Sequence, residues 1–142
     1  MRKLLIATVL AALATAAVAA PGAPLRKAPA DARAYIISPA DGARVGREVT
    51  VRFGLAGMGV APAGVDREHT GHHHLLVDVA TLPPAGQPIP NDEHHRHFGG
   101  GQTETVLQLA PGTHTLQLEL GDASHIPFDP PVVSKKITIH VE

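Results

Sequence analysis

The sequence predicts an all-β fold, an immunoglobulin-like β-sandwich of about seven short strands, on three observations. Apolar and polar residues alternate with period two through most of the chain after residue 33. Turn signals rich in Pro, Gly and Asp recur between the alternating runs. Outside the first twenty residues, no window of helical length carries a 3.6-residue apolar period. Short strands separated by turns at such intervals are the pattern of two packed sheets, and 142 residues suit one such domain.

The elements follow in order. Ala34-Tyr35-Ile36-Ile37 makes a strand over 34–38, closed by Ser38-Pro39-Ala40-Asp41-Gly42. Val49, Val51, Phe53 and Leu55 alternate with Thr50, Arg52 and Gly54, predicting a half-buried strand over 48–55. His73, Leu75, Val77 and Val79 form the apolar side of a third strand, 72–79. Residues 80–102 contain four Pro and four Gly without a period, the longest irregular stretch. Thr105, Leu107 and Leu109 face inward along 103–109, and Pro111-Gly112 turns the chain. His114, Leu116, Leu118 and Leu120 face inward along 114–120, and Ile137, Ile139 and Val141 mark the last strand, 133–141.

The N-terminus reads as an address. Arg2 and Lys3 precede an Ala/Leu/Val run to Ala19, and Ala17-Val18-Ala19 has the small-x-small form of a signal-peptidase site. The expectation is a signal peptide over 1–19, a flexible Ala/Pro-rich lead-in over 20–33 and the sandwich over 34–142, in a periplasmic or secreted protein. An uncleaved membrane anchor is the alternative; after cleavage no stable membrane span is expected. Cleavage leaves ten basic against 13 acidic side chains. That balance, with four aromatics (Tyr35, Phe53, Phe98, Phe128), offers no footprint for nucleic acid. Without Cys there is no disulfide framework, thiolate metal site or covalent haem attachment.

Histidine is the abnormal feature. All ten lie between His69 and His140, seven of them between His69 and His97. In an immunoglobulin-like sandwich the 72–79 and 114–120 strands are antiparallel neighbours, so the start of the first lies near the end of the second. The short 110–113 connection reverses the 103–109 strand and brings its approach to the same end. His69, His72, His73, His74, His94, His95, His97 and His125 therefore converge on one loop rim, while His114 and His140 lie at the opposite end.

Period two separates His72 and His74 from His73. His72 and His74 share a face and suit two imidazoles on one metal ion. His73 shares the face of Leu75 and Val77 and is expected to be a hydrogen-bonded core residue. His97 precedes Phe98 and Gly99-Gly100-Gly101, where backbone can approach closely, and His125 sits in a loop; both are candidate ligands. His69, His94 and His95 are additional candidates or merely solvated. Asp78 and Asp92 are supporting carboxylates or simple surface and turn residues. His114, opening a strand after a Pro-Gly turn, is structural: sandwiches place a Tyr there that bonds back to the backbone.

Several blocks together resemble a known family: Ser38-Pro39-Ala40-Asp41-Gly42, Phe53-Gly54-Leu55-Ala56-Gly57-Met58-Gly59-Val60, Gly71-His72-His73-His74-Leu75-Leu76-Val77-Asp78, His97-Phe98-Gly99-Gly100-Gly101-Gln102-Thr103-Glu104, Pro111-Gly112-Thr113-His114-Thr115-Leu116 and Pro130-Pro131-Val132-Val133-Ser134. They are similar, over about residues 34–142, to the bacterial secreted DUF4399 family. The resemblance implies a small exported β-domain and carries no established activity. Members of that family have a further His three residues after the position of His125; here that position is Phe128, which would leave a site needing it one ligand short.

The expected function is binding of a transition metal, copper or zinc, through His72, His74, His97 and His125. Imidazole ligation without thiolate suits either ion, and the Irving–Williams order favours copper. Two alternatives stay open: a metal-free interaction or pH-responsive module, and a metal-dependent enzyme drawing a general base from Glu68, Asp92, Glu93 or Glu104. No Gly-x-Ser-x-Gly, His-Glu-x-x-His or phosphate loop supports catalysis.

Overall fold

The computed structural model describes residues 24–142; the expected signal peptide lies outside the described residues. Two sheets face each other. The smaller is antiparallel, with β1 (Arg33–Ser38), β3 (Glu48–Ala56) and β7 (Glu104–Gln108) in that order. The larger runs β2 (Arg44–Val45), β9 (Ile137–Val141), β8 (Gly112–Gly121), β5 (Thr70–Val77) and β4 (Gly59–Val60). A sixth strand of that sheet, β6 (His95–His97), pairs with β5 at His74–Leu76, further along β5 than the Thr70–Gly71 stretch that takes β4. No helix occurs among the described residues, and so none there is long and apolar enough to cross a membrane.

The alternation read from the sequence builds the interior. Val49, Val51 and Phe53 of β3 and Leu107 of β7 meet Leu75 and Val77 of β5, Leu116, Leu118 and Leu120 of β8, and Ile137, Ile139 and Val141 of β9. Each such side chain contributes about 1.5–3 kcal/mol when fully buried. The expected pairing of the third strand with the 114–120 strand is present: β5 and β8 are antiparallel from His72 opposite Gly121 to Val77 opposite Leu116.

Three features differ from the sequence reading. First, β5 is buried on both faces, not one: His72, His73, His74 and Leu76 are each no more than 2 % exposed. The irregular stretch after β5 folds back over it. Ile89, buried, donates its amide to the His125 carbonyl at 2.9 Å, and Val77 donates to the His94 carbonyl at 2.8 Å. Second, residues 24–32 are held down rather than loose. Asp129 donates its amide to the Arg26 carbonyl, Arg26 and Lys27 pair with Asp66 and Asp129, and Ala28 and Ala32 pack on the core. Third, only 137–141 of the last expected strand is regular; Pro127 and Val133 make isolated bridges to Gly121 and Glu119 at the end of β8.

Candidate metal centre

Strand pairing assembles the site. His72 and His74 project from the outer face of the larger sheet, away from the interior that takes Leu75 and Val77. On β6, His97 lies directly opposite His74, so its ring joins the same face. The fourth imidazole comes from the loop after β8. There the Asp122 carboxylate accepts the amides of Ser124 at 2.8 Å and Ile126 at 3.0 Å, while the His125 amide donates to the Asp122 carbonyl at 2.9 Å. This turn holds His125 at φ 67°, a left-handed conformation uncommon for a side-chain-bearing residue. Arg26 lies 3.7 Å from the same Asp122 carboxylate.

One ring nitrogen from each of His72, His74, His97 and His125 lies within 4.8 Å of the other three. His72 Nε2 and His125 Nδ1 are 3.0 Å apart. Metal–imidazole bonds of about 2.0–2.1 Å put ligand nitrogens about 3.3 Å apart in a tetrahedron, so shifts of roughly an ångström close the rings on one ion. Two glycines make the approach possible. A Cβ on Gly121 would lie 2.7 Å from His74 Cε1, and one on Gly99 would lie 2.4 Å from His97 Cε1. The first fits the pairing of β5 with β8; the second bears out the close approach expected after His97.

The electrostatics suit a metal. Burial, reinforced by the neighbouring imidazoles, pushes His72 down to about 4 and His74 down to about 3; burial and His125 lower His97 as well. The rings are therefore neutral near pH 7, the form that ligates metal. Among the described residues, eight buried side-chain polar atoms lack a hydrogen-bond partner. Six of them belong to this patch: His72 Nδ1, both nitrogens of His74, His97 Nε2 and both oxygens of Glu119. An orphaned buried polar atom costs about 1–3 kcal/mol, so a concentration of them asks for a ligand.

Glu119 was not among the expected site residues. It is fully buried, lies opposite His74 across the β5–β8 pair, and is pushed up to about 7 by burial. The inward phase of Leu116, Leu118 and Leu120 already assigned Glu119 to the other face; what the sequence lacked was the register that sets it beside His74.

The remaining candidates stand apart from the four rings. His73 packs on Phe53 with ring centroids 5.3 Å apart, but neither nitrogen has a partner, so it is a core residue without the expected hydrogen bond. His69 is exposed beside Glu68. His94 donates to the Val77 carbonyl and His95 to the Asp92 carboxylate, each at 2.9 Å, because β6 runs antiparallel to β5 and carries them away from His72. Asp92 also accepts the amides of His94 and His95, a turn role. Asp78 supports no metal ligand; it receives His114 Nδ1–H at 2.7 Å and the Thr115 amide at 2.8 Å. His114 also donates its Nε2–H to the Ala110 carbonyl at 2.8 Å, the bond back to the backbone that the sequence reading placed there. His140 contacts Thr113, far from the cluster in the strand register. None of the four proposed general bases enters the site: Glu104 pairs with Arg52 across β3 and β7, Glu68 and Glu93 are exposed, and Asp92 is engaged as above.

The site thus sits at one end of the larger sheet but on its outer face, under the 80–94 segment, rather than on an open loop rim. A cavity of about 160 Å³ lined by His74, Ile89, Asn91, His97 and His125 adjoins it. A larger cleft of about 470 Å³ lies between Arg26, Lys27, Asp66, Glu68, His69 and Phe128, where Arg26 and Asp66 pair with each other. Phe128 itself is a core residue, and the four-nitrogen set forms without a ligand from its position.

The fold and site define a β-sandwich carrying an all-imidazole cluster, two rings buried and two half-buried, on its larger sheet. The chain belongs to the family described as "Domain of unknown function (DUF4399)", whose model matches residues 51–142 and so takes in all four clustered histidines. No curated protein and no solved structure matches the chain.

Proposed function

We propose that this protein is an exported metal-binding module that holds one copper or zinc ion through His72, His74, His97 and His125. The observation that carries the reading is the convergence of four imidazole nitrogens within 4.8 Å from three separate segments. Export rests on the pattern of residues 1–19. An all-nitrogen, thiolate-free set suits either ion. Four protein ligands suit a binding site better than a hydrolytic one, which keeps three and an open position. The adjoining cavity accommodates a water-sized ligand, but its lining, His74, Ile89, Asn91, His97 and His125, offers no carboxylate base.

Elemental analysis of untagged mature protein, followed by copper and zinc titration of the apo form, tests the reading. The expected result is one tightly held ion per chain, lost in the His72→Ala/His74→Ala double variant while the β-sheet circular dichroism survives. Weak, non-stoichiometric binding by the wild type would assign the cluster to packing or to a pH response instead.

A further inference from the structure

The four-histidine reading leaves a buried carboxyl, Glu119, without a task. Across the sheet the register makes a single row: His97 on β6, His74 on β5, Glu119 on β8 and Val133 beyond it. Directly opposed side chains on one face have Cβ atoms about 4.5–5.5 Å apart, so His74 stands between His97 and Glu119. His74 and Glu119 are both buried, and neither has a hydrogen-bond partner at either polar atom. His72, whose Nδ1 also lacks a partner, lies only diagonally from Glu119, opposite Gly121; the other groups near Glu119 are engaged or apolar. Gln117, two residues away on the same face, donates to the Ser134 carbonyl at 3.0 Å, and Val133 offers no side-chain polar atom. Lys136 is held by the Val79 and Ala80 carbonyls. Asp122 spends its carboxylate on loop amides and Arg26.

A divalent ion on four neutral imidazoles would bring two uncompensated positive charges into a buried site, which is costly without an anion nearby. Metal-bound histidines ordinarily give their second ring N–H to a carboxylate, a carbonyl or water, and this fixes the ring tautomer. We propose that Glu119 is the carboxylate partner of the metal centre: it accepts the ring N–H that His74 retains when its other nitrogen binds the ion, and offsets part of the ion's charge. The inference rests on the four-histidine reading and makes Glu119 a positioning residue, not a ligand.

The test compares wild type, Glu119→Gln and Glu119→Leu in zinc competition titrations, with thermal melts of each apo protein. Histidine-selective isotope-labelled NMR of the zinc-loaded forms follows the His74 ring N–H. We expect one ion per wild-type chain, with affinity falling roughly 10–100-fold in Glu119→Leu. The slowly exchanging His74 N–H signal should disappear in that variant, and Glu119→Gln, which keeps an acceptor oxygen without the charge, should retain the signal with intermediate affinity. Apo Glu119→Leu should melt no lower than the wild type, because an unpartnered buried carboxyl is removed. If Glu119→Leu does not fold, the isosteric Glu119→Gln carries the comparison: affinity equal to wild type overturns the proposal. Unchanged affinity and an unchanged His74 signal in both variants also overturn it while leaving the four-histidine site standing. Lost affinity with an unchanged His74 signal overturns the hydrogen bond. A wild type that binds neither zinc nor copper overturns both readings.

Discussion

At the scale of single residues, the site depends on where side chains are missing as much as on where they are. His74 reaches the cluster by leaning over Gly121, and a Cβ there would sit 2.7 Å from its Cε1 and 3.3 Å from the His125 carbonyl carbon. Gly121→Ala should therefore displace the ring, destabilise the fold by about 1–3 kcal/mol through overpacking, and weaken metal binding. Gly46→Ala, where nothing lies within 4 Å of the added carbon, serves as the control. Titration and melting of the two variants side by side check this; equal affinities would show that the ring has room to move. The His72-His73-His74 triplet was legible as two outward rings and one inward ring from period two alone. That His73 would have no hydrogen-bond partner was not legible, because its surroundings, Phe53 above all, come from the opposite sheet.

At the scale of elements, His114 ties the turn before β8 to the end of β5. Both of its ring nitrogens face acceptors, the Asp78 carboxylate and the Ala110 carbonyl, which favours the imidazolium; the bond to Asp78 first, then that to Ala110, raises its pKa above 6.5. A raised folded-state value means the tie stabilises fully below pH 6.5 and is lost as pH rises through the folded value. His72 and His74 act with the opposite sign, their depressed values penalising the apo fold as pH falls below 6.5. The difference in denaturant stability between wild type and His114→Gln isolates the first effect and should shrink as pH rises from below 6.5. At low pH, His114→Ala should cost about 1.5–3 kcal/mol, the worth of a hydrogen bond involving charged groups, and leave metal stoichiometry unchanged. A gap that grows with pH would mean the ring is neutral in the fold. Among the strands, the six of five or more residues were all visible in the sequence, β1 as a short apolar run before a turn and the others through alternation. β6 was not, since its three residues alternate nothing and exist as a strand only because the edge of β5 offers unpaired backbone groups.

At the scale of the whole molecule, the four rings join β5, β6 and the loop after β8, so a bound ion would link the 80–94 cover to the body of the larger sheet. Metal that binds the native but not the unfolded chain should raise stability by about 2.7 kcal/mol at a free concentration one hundred times Kd. Calorimetry with zinc and then with excess chelator checks this: the melting temperature should rise with metal and return on chelation. No shift with zinc at such an excess would mean that the rings do not act as one site.

By itself the sequence determined the all-β class, the inward and outward phase of each long strand, and the histidine types from which the cluster is drawn. Those properties are local: a period of two and a composition without Cys are set by neighbours along the chain. Period two and the loop positions also singled out His72, His74, His97 and His125, but only the tertiary structure brings their nitrogens together. The register of β5 against β8 and β6 sets Glu119 and His97 on either side of His74, and sends His94, His95 and Asp78 elsewhere. The burial of the outer face was decided in the same way, by a segment with no pattern of its own that packs because the face beneath it is there to cover. Register and cover depend on contacts between distant residues, and no window of the chain contains both partners.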